Sequence, residues 1–396
     1  ILAQGMTQEG CSVSICEECG SRDASGHFGT GEHENEYYCS NCWRQWGEVP
    51  KYDNTSISHE DLRRCDKRWE QPDSDLKKRL RPLIEECKAF QGPYIDCTKQ
   101  TALEIIKMFQ AKNLQHGWSL DYSPSFFCDL VYEGIFPMGA ECPVQYNDPV
   151  QILVLCCDCN GSVLDFNGTH VSRQVRKKAK QFTMTVDTAF DDVLLGCIRM
   201  HGEAWLYRGY RWMLRTLFRC PWVYRGDKNF GVHSFELWDA EGKLVAGDLG
   251  YIIGGVYGSM TGFREQHTKN AGEVQLVLTS ALLHKMGFCW MDLGQVLDYK
   301  ARLGAQVIDR AEYFQRLHRD RDKMVRFGHE RVGGDELLYH LLDAFPEIAD
   351  NKLPPPKVDL APSQNGSGRD TAPCEDPGLL EGTGKIWLVS SGSPSG

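Results

Sequence analysis

Residues 233–260, "HSFELWDAEGKLVAGDLGYIIGGVYGSM", constrain the fold most. Polar and apolar positions alternate on both sides of "DAEGK", the pattern of two strands joined by a glycine-containing hairpin turn. "NAGEVQLVLTSALLHKMG" follows with helical periodicity and stops at Gly287, a natural C-cap. "FCWMDLG" then reads as another strand, and "DRAEYFQRLHRDRDKMVRF" as a closing amphipathic helix. Upstream, residues 170–200 read as a basic helix, a strand over 182–186 and a second helix. Antiparallel strands, a helix and a further strand predict an α+β fold, a sheet with helices packed on its faces.

Within that frame Asp292 is out of place, because Phe288, Cys289, Trp290, Met291 and Leu293 around it are core residues. An ionised carboxylate there is costly unless something uses it. Two uses are open: a turn or cap hydrogen bond ahead of Gly294, or chemistry at the strand end.

The chain is long enough, at 396 residues, for two or three domains. No stretch approaches the roughly 20 apolar residues of a membrane helix. The net charge of −10 is uneven. Residues 1–60 hold 10 acids and 3 bases, whereas residues 170–228 hold 12 bases and 5 acids. A local basic segment of that kind is either a nucleic-acid footprint or a solvated helical face. The 17 cysteines lie mostly in apolar segments and read as reduced thiols, which makes the cytosol the expected compartment. The chain opens on Ile1 rather than Met, which leaves room for a targeting segment.

Near the N-terminus, Cys16-x2-Cys19 and Cys39-x2-Cys42 form two knuckles whose spacing lets four thiolates converge on one tetrahedral zinc, the alternative being two disulfides or free thiols. So short a module folds on metal binding rather than on burial. A closed four-cysteine site leaves His27 and His33 as loop residues and suits a structural or partner-binding role. The expected organisation is a zinc module over 1–50, a helical connector over 51–112 and the main domain over 113–330. A C-terminal helix over 331–349 and a disordered tail over 350–396, rich in Pro, Gly, Ser and Asp, complete it.

Several stretches of the main domain resemble the leucyl/phenylalanyl-tRNA–protein transferase family. They are "LDYSPSFFCDLVYEGIFPMG" (120–139), "HVSRQVRKKAKQFTMTVDTAFDDVLLGC" (170–197), "GEAWLYRGY" (202–210), residues 233–260, and "MDLGQVLDYKARLGA" (291–305). The resemblance covers about half the chain, in order, and leaves out the zinc module and the tail. It implies an acyl-CoA N-acyltransferase-like mixed sheet with flanking helices, a Leu or Phe donated by aminoacyl-tRNA, and transfer to the N-terminus of proteins carrying Arg or Lys there. Such tagging marks a protein for degradation. Neither CoA nor a nucleotide cofactor is expected, nor a membrane partner.

By motif position, the resemblance makes Asp292 and Gln295 catalytic. Trp205, Tyr257, Ser259 and Met260 fall to the adenosine and amino-acid pocket. Arg173, Arg176, Lys177 and Lys178 fall to tRNA phosphate contacts. Trp205 would stack the terminal adenine, worth about 1–3 kcal/mol per base, or is a core residue of a strand. Met260 would adapt to Leu and Phe alike, or is core. The chemistry itself is undemanding: an aminoacyl ester is already activated, and an α-amine with a pKa near ~8 is partly neutral at cellular pH. What it needs is attack geometry and dipoles for the developing oxyanion.

This chain departs from the family pattern at three places. The glutamate of the family's G-E-S-M motif is replaced by Gly258 in "YGSM". The glutamine expected two residues after the aspartate is Gly294, and Gln295 arrives one residue late; on a strand that shift turns the side chain to the other face, and Gln295 substitutes only if a bulge or turn re-aims it. A double-Trp segment is replaced by "LVLCCDC", where Cys156, Cys157 and Cys159 read as buried thiols. Two alternatives follow. An acyl-CoA-dependent N-acyltransferase would need a Gly-rich pyrophosphate loop before the central helix, which "GFREQHTKNAGE" does not supply. A non-catalytic RNA- or degron-binding relative would explain the lost glutamate.

Overall fold

The computed structural model describes residues 27–28, 37–38, 70–86, 92–144, 149–158, 160–329 and 331–349. The chain divides into two units, residues 1–70 and 71–396. In the first, β1 (His27–Phe28) pairs antiparallel with β2 (Tyr37–Tyr38). The expected zinc ligands Cys16, Cys19, Cys39 and Cys42, together with His33, lie outside the described residues. So do Cys159 and the segment 350–396.

The second unit opens with α1 (Ser74–Glu86) and α2 (Ala102–Ala111). A reciprocal cap starts α2: the Glu104 amide donates to Thr101 Oγ1 at 3.3 Å, and the Thr101 amide donates to Glu104 Oε2 at 2.8 Å. Next come β3 (His116–Ser119), α3 (Pro124–Tyr132), β4 (Phe136–Cys142) and β5 (Val150–Cys156). The three strands form a small sheet in the order β3-β5-β4. Ile84 of α1 is buried with Trp118, Ile152 and Val154 of that sheet, so the polar-looking connector supplies a face of its core.

The main sheet is built from β6 (Asn160–Leu164), β7 (Thr183–Val186), β8 (Phe230–Trp238), β9 (Leu244–Ile253), β10 (Val256–Arg264), β11 (Trp290–Asp292), β12 (Gln306–Asp309) and β13 (Val332–Gly333). Their spatial order is β12-β6-β11-β10-β9-β8-β7-β13. Its strand pairings are antiparallel except that of β10 with β11, which is parallel. The helices among these strands are α4 (Arg173–Lys178), α5 (Phe190–His201), α6 (Arg208–Arg219), α7 (Pro221–Tyr224), α8 (Ala271–Met286), α9 (Asp298–Arg302) and α10 (Arg310–Asp320). After β13 come α11 (Gly334–Ala344) and α12 (Pro346–Ala349).

One face of the sheet carries Phe235, Ile252, Tyr257 and Met291, covered by Val274, Val277, Leu278 and Leu282 of α8 and by Leu337 and Leu341 of α11. Helix α8 has little polar surface because both neighbours bury it, and truncating Leu278 to Ala at such a site costs about 2–5 kcal/mol. Gly287 ends the helix in the left-handed region, at φ 90°, as its sequence position predicts. On the opposite face, Val193 of α5 closes on Gly247, and Trp290, Val256, Val163 and Leu317 form a second cluster.

The strand–turn–strand reading of 233–260 and the strand before Gly294 match the structure. The closing helix does not run through Phe327 but stops at Asp320. There the Asp320 carbonyl accepts the Gly255 amide at 2.9 Å and the buried carboxylate accepts Trp290 Nε1 at 2.9 Å. That anchor takes the chain off the helix axis even though its amphipathic period continues.

Candidate active site at the end of strand β11

Strands β10 and β11 run in register, Val256 beside Trp290, Tyr257 beside Met291 and Gly258 beside Asp292. There β11 ends while β10 continues to Arg264, so the two part at Asp292. Gly294, at φ 66°, turns the chain away in a conformation that favours glycine.

Asp292 is 9 % exposed. Its Oδ1 accepts the Gly294 amide at 2.8 Å and its Oδ2 accepts the Tyr313 hydroxyl of α10 at 2.7 Å. Burial pushes its carboxyl above the usual carboxylate range, opposed by those two hydrogen bonds and by the Lys300 cation. The turn hydrogen bond is thus present, yet it occupies one oxygen. A carboxylate has about four lone-pair sites, so both oxygens retain acceptor capacity.

Side chains opposite one another in register share a sheet face. Asp292, Gly258 and Tyr251, which pairs with Gly258, therefore lie on one face. The space above Gly258 is filled: an ideal Cβ there would sit 2.3 Å from Tyr251 Cζ. The Tyr251 ring stacks on Phe136 at 6.3 Å and meets the edge of Phe127 at 6.2 Å. A phenol ring thus stands beside Asp292 where the family motif has a glutamate side chain.

Tyr257 and Ser259 face the other side, where both hold Asp248 of β9. Tyr257 donates to Oδ2 at 2.5 Å and Ser259 to Oδ1 at 2.9 Å. Burial lifts the Asp248 carboxyl to about 7 despite these donors and Lys300. The four pocket residues read from the motifs are therefore not gathered round Asp292. Tyr257 is fully buried in the core beneath α8, while Ser259 and Met260 are half-buried on β10.

Trp205 is a loop residue between α5 and α6, at φ 60°, not a strand residue. Its carbonyl abuts β4, 2.2 Å from where a Cβ on Gly139 would lie. Its ring meets Tyr210 edge-on at 5.3 Å, Tyr210 meets Phe127 at 6.3 Å, and Phe127 meets Tyr251. A chain of rings thereby leads from Trp205 to the neighbour of Asp292.

Gln295 lies beyond the end of β11, in the turn after Gly294, so strand alternation does not govern its side chain. Its carbonyl accepts Lys300 Nζ at 3.0 Å, and Lys300 also donates to the Leu293 carbonyl. Burial draws the Lys300 amine down to about 8, opposed by the charges of Asp292 and Asp248.

Of the four basic residues on α4, Arg173 and Lys177 are exposed. Arg176 donates to the carbonyls of Ile348 at 2.9 Å and Val171 at 3.4 Å, and Lys178 to that of Lys269 at 2.6 Å. Part of the basic excess of 170–228 is also internal: Arg215 is buried and pairs with Asp191 at 2.8 Å, and Arg211 with Glu203 at 3.6 Å. Cys156 is half-buried and Cys157 is buried. Among the described residues, no cluster of three or more His, Cys, Asp or Glu side chains could hold a metal ion. No described helix is long and apolar enough to cross a membrane.

A family model described as leucyl/phenylalanyl-tRNA protein transferase matches residues 163–318. The leucyl/phenylalanyl-tRNA–protein transferase of Rhodospirillum rubrum is 30% identical over 203 residues, spanning 50% of this chain and 87% of that protein. This chain belongs to the leucyl/phenylalanyl-tRNA–protein transferase family. The family member of Shewanella oneidensis is 27% identical over 256 residues, 63% of this chain and 94% of its own. A solved probable N-acyltransferase from Enterococcus faecalis superposes with a TM-score of only 0.26 at 14% identity, over 52% of this chain and 46% of that one.

Every strand-end residue described above lies within the part of the chain that matches the transferase family model. Four of them, Asp248, Tyr251, Lys300 and Tyr313, are missed when this transferase-family chain is read by motif alone. For Asp248 a signal existed: it is a lone acid in the apolar run "LVAGDLGYII", the same anomaly that singles out Asp292.

Proposed function

We propose that this family member is an aminoacyltransferase that moves Leu or Phe from aminoacyl-tRNA to the α-amine of proteins beginning with Arg or Lys, tagging them for degradation in the cytoplasm. The observation that carries the reading is Asp292: a buried carboxylate at the parting of two parallel strands, held by Gly294 and Tyr313. Its fixed oxygens accept hydrogen bonds from the incoming amine, orient the lone pair toward the ester carbonyl and offset the positive charge the nitrogen gains on attack. The C–N bond forms as the ester C–O bond breaks, and the amine proton leaves with the released 3'-terminal hydroxyl. The parted parallel strands also support an acyl-CoA N-acyltransferase-like fold.

In this reading Trp205, the half-buried end of that run of rings, supplies apolar surface for the adenosine and the Leu or Phe side chain, with Met260 at the edge and the buried rings backing it. Arg173 and Lys177 are free to meet phosphates. Cys16, Cys19, Cys39 and Cys42 hold a structural zinc whose module docks a protein partner, and their spacing supports this. Metal content of the full chain before and after Cys16→Ser tests it, with loss of zinc expected.

One observation favours a second reading. The Tyr251 ring occupies the room of the motif glutamate, as a relative that binds RNA or degrons without turnover would tolerate. The deciding experiment incubates the full chain with Leu- or Phe-charged tRNA and a peptide beginning with Arg. RNase-sensitive transfer is expected. Binding without transfer would establish the second reading, and CoA-dependent acylation would replace both.

A further inference from the structure

Lys300 is assigned nothing by the family motifs, yet its amine sits at the strand end with more polar neighbours than a surface lysine has. Its Nζ donates to the carbonyls of Leu293 and Gln295, the residues on either side of Gly294 in the turn after Asp292. The charges of carboxylates on two elements, Asp292 of β11 and Asp248 of β9, act on this amine and favour its protonated form. Its other titratable neighbours are phenols: Tyr299 on its own helix, with Nζ 5.8 Å from the ring centroid, Tyr257 on Asp248, and Tyr313 on Asp292, with Tyr251 beside it. Asp298 and Arg302 of the same helix are exposed.

We propose that Lys300 is the positioning residue of this site, fastening the 293–295 turn through two carbonyls and supplying a positive charge shared by Asp292 on one sheet face and Asp248 on the other. The proposal rests on the transfer reading above for its kinetic consequence, but not for its electrostatic one. Two buried carboxylates on opposite faces each need a counter-charge to stay ionised. An amine fastened to the turn that follows Asp292, and whose charge acts on both carboxylates, serves both. The four phenols are all pushed up by burial, so they stay neutral through the range in which Lys300 titrates.

The role as a clasp and the role as a charge are separable. A neutral lysine amine still has two N–H donors for the two carbonyls, so deprotonation removes the charge and leaves the clasp. Lys300→Arg keeps a cation at every accessible pH. The ratio of wild-type to K300R transfer kcat/KM, taken from pH 6.5 to 9.5, cancels the ionisation of the substrate amine and the lability of the ester. With the wild-type amine at about 8, the ratio is expected to be flat below neutrality and about tenfold lower at pH 9 than at pH 7.

The second arm needs no turnover. In full-length protein labelled with ¹³Cγ-aspartate, and assigned with the D248N and D292N variants, K300M should raise the titration midpoints of Asp248 and Asp292 by roughly one pH unit. A flat activity ratio across the range overturns the charge role, and unchanged midpoints in K300M overturn the proposal altogether. Should the wild-type chain transfer nothing from charged tRNA, the functional reading fails, and the carboxylate titration still decides this inference.

Discussion

Gly258 offers a test in which the sign of the effect, not only its size, is fixed by the structure. Adding a methyl group as Gly258→Ala places a Cβ 2.3 Å from Tyr251 Cζ and 2.7 Å from both Cε atoms. The ring has no easy escape, being stacked on Phe136 and edged by Phe127. Overpacking of this kind costs about 1–3 kcal/mol. Against it, Ala restricts the unfolded chain and returns about 0.4–1 kcal/mol. The net expectation is a loss of about 1–2 kcal/mol. With Tyr251→Ala in place the ring is gone, and the same Gly258→Ala change keeps its unfolded-chain benefit without the clash. It should then stabilise the protein, and the coupling between the two positions comes to about 2 kcal/mol. Urea unfolding of wild type, both single variants and the double variant measures all four corners. If Gly258→Ala destabilises the Tyr251→Ala background as much as it does wild type, the ring is not what excludes a side chain at 258, and the account of the missing glutamate fails.

Tyr313→Phe removes a hydrogen bond that favours the ionised Asp292, so the acid limb of the transfer pH profile should move to higher pH; an unmoved limb would separate Tyr313 from the carboxylate's chemistry. Asp248, at about 7 when folded against an ordinary 3.8, binds a proton on folding between those values. Its contribution to stability is full below the unfolded value and is lost as pH rises through about 7, so wild type minus D248N stability should fall between pH 4 and 7, read from urea midpoints. The joint variant Arg173→Ala with Lys177→Ala should weaken tRNA binding and reduce the salt slope by about 1 for each phosphate no longer neutralised. Arg176→Ala should mainly lower the unfolding midpoint, since its guanidinium ties α4 to the Ile348 carbonyl.

The parts of the fold legible in the sequence are those decided locally. The hairpin of β8 and β9, the apolar helix α8 and its stop at Gly287 each follow from a periodicity and a turn residue within one short window. The helix end at Asp320 was not legible, because the Trp290 indole that draws in the carboxylate lies 30 residues away. Asp292 could be singled out from its neighbours alone, and the structure finds it buried at the strand end. Its partners could not: Tyr313 comes from a later helix and Tyr251 from the other side of β10. For Gln295 the case that needs a turn rather than a strand is the one present. Alternation applies only while the strand lasts, and β11 is over at Asp292.

The sheet is finished by its last-made piece. Val332 and Gly333 pair with β7, and Leu337, Leu338 and Leu341 behind them fill the groove beside α8. A ribosome that has released everything through α10 therefore holds a nascent chain with the outer edge of β7 unpaired and the flank of α8 wet. Ending the chain ahead of Val332 would freeze that stage permanently, yielding a strand edge open to pairing with another copy and, with it, inclusion bodies.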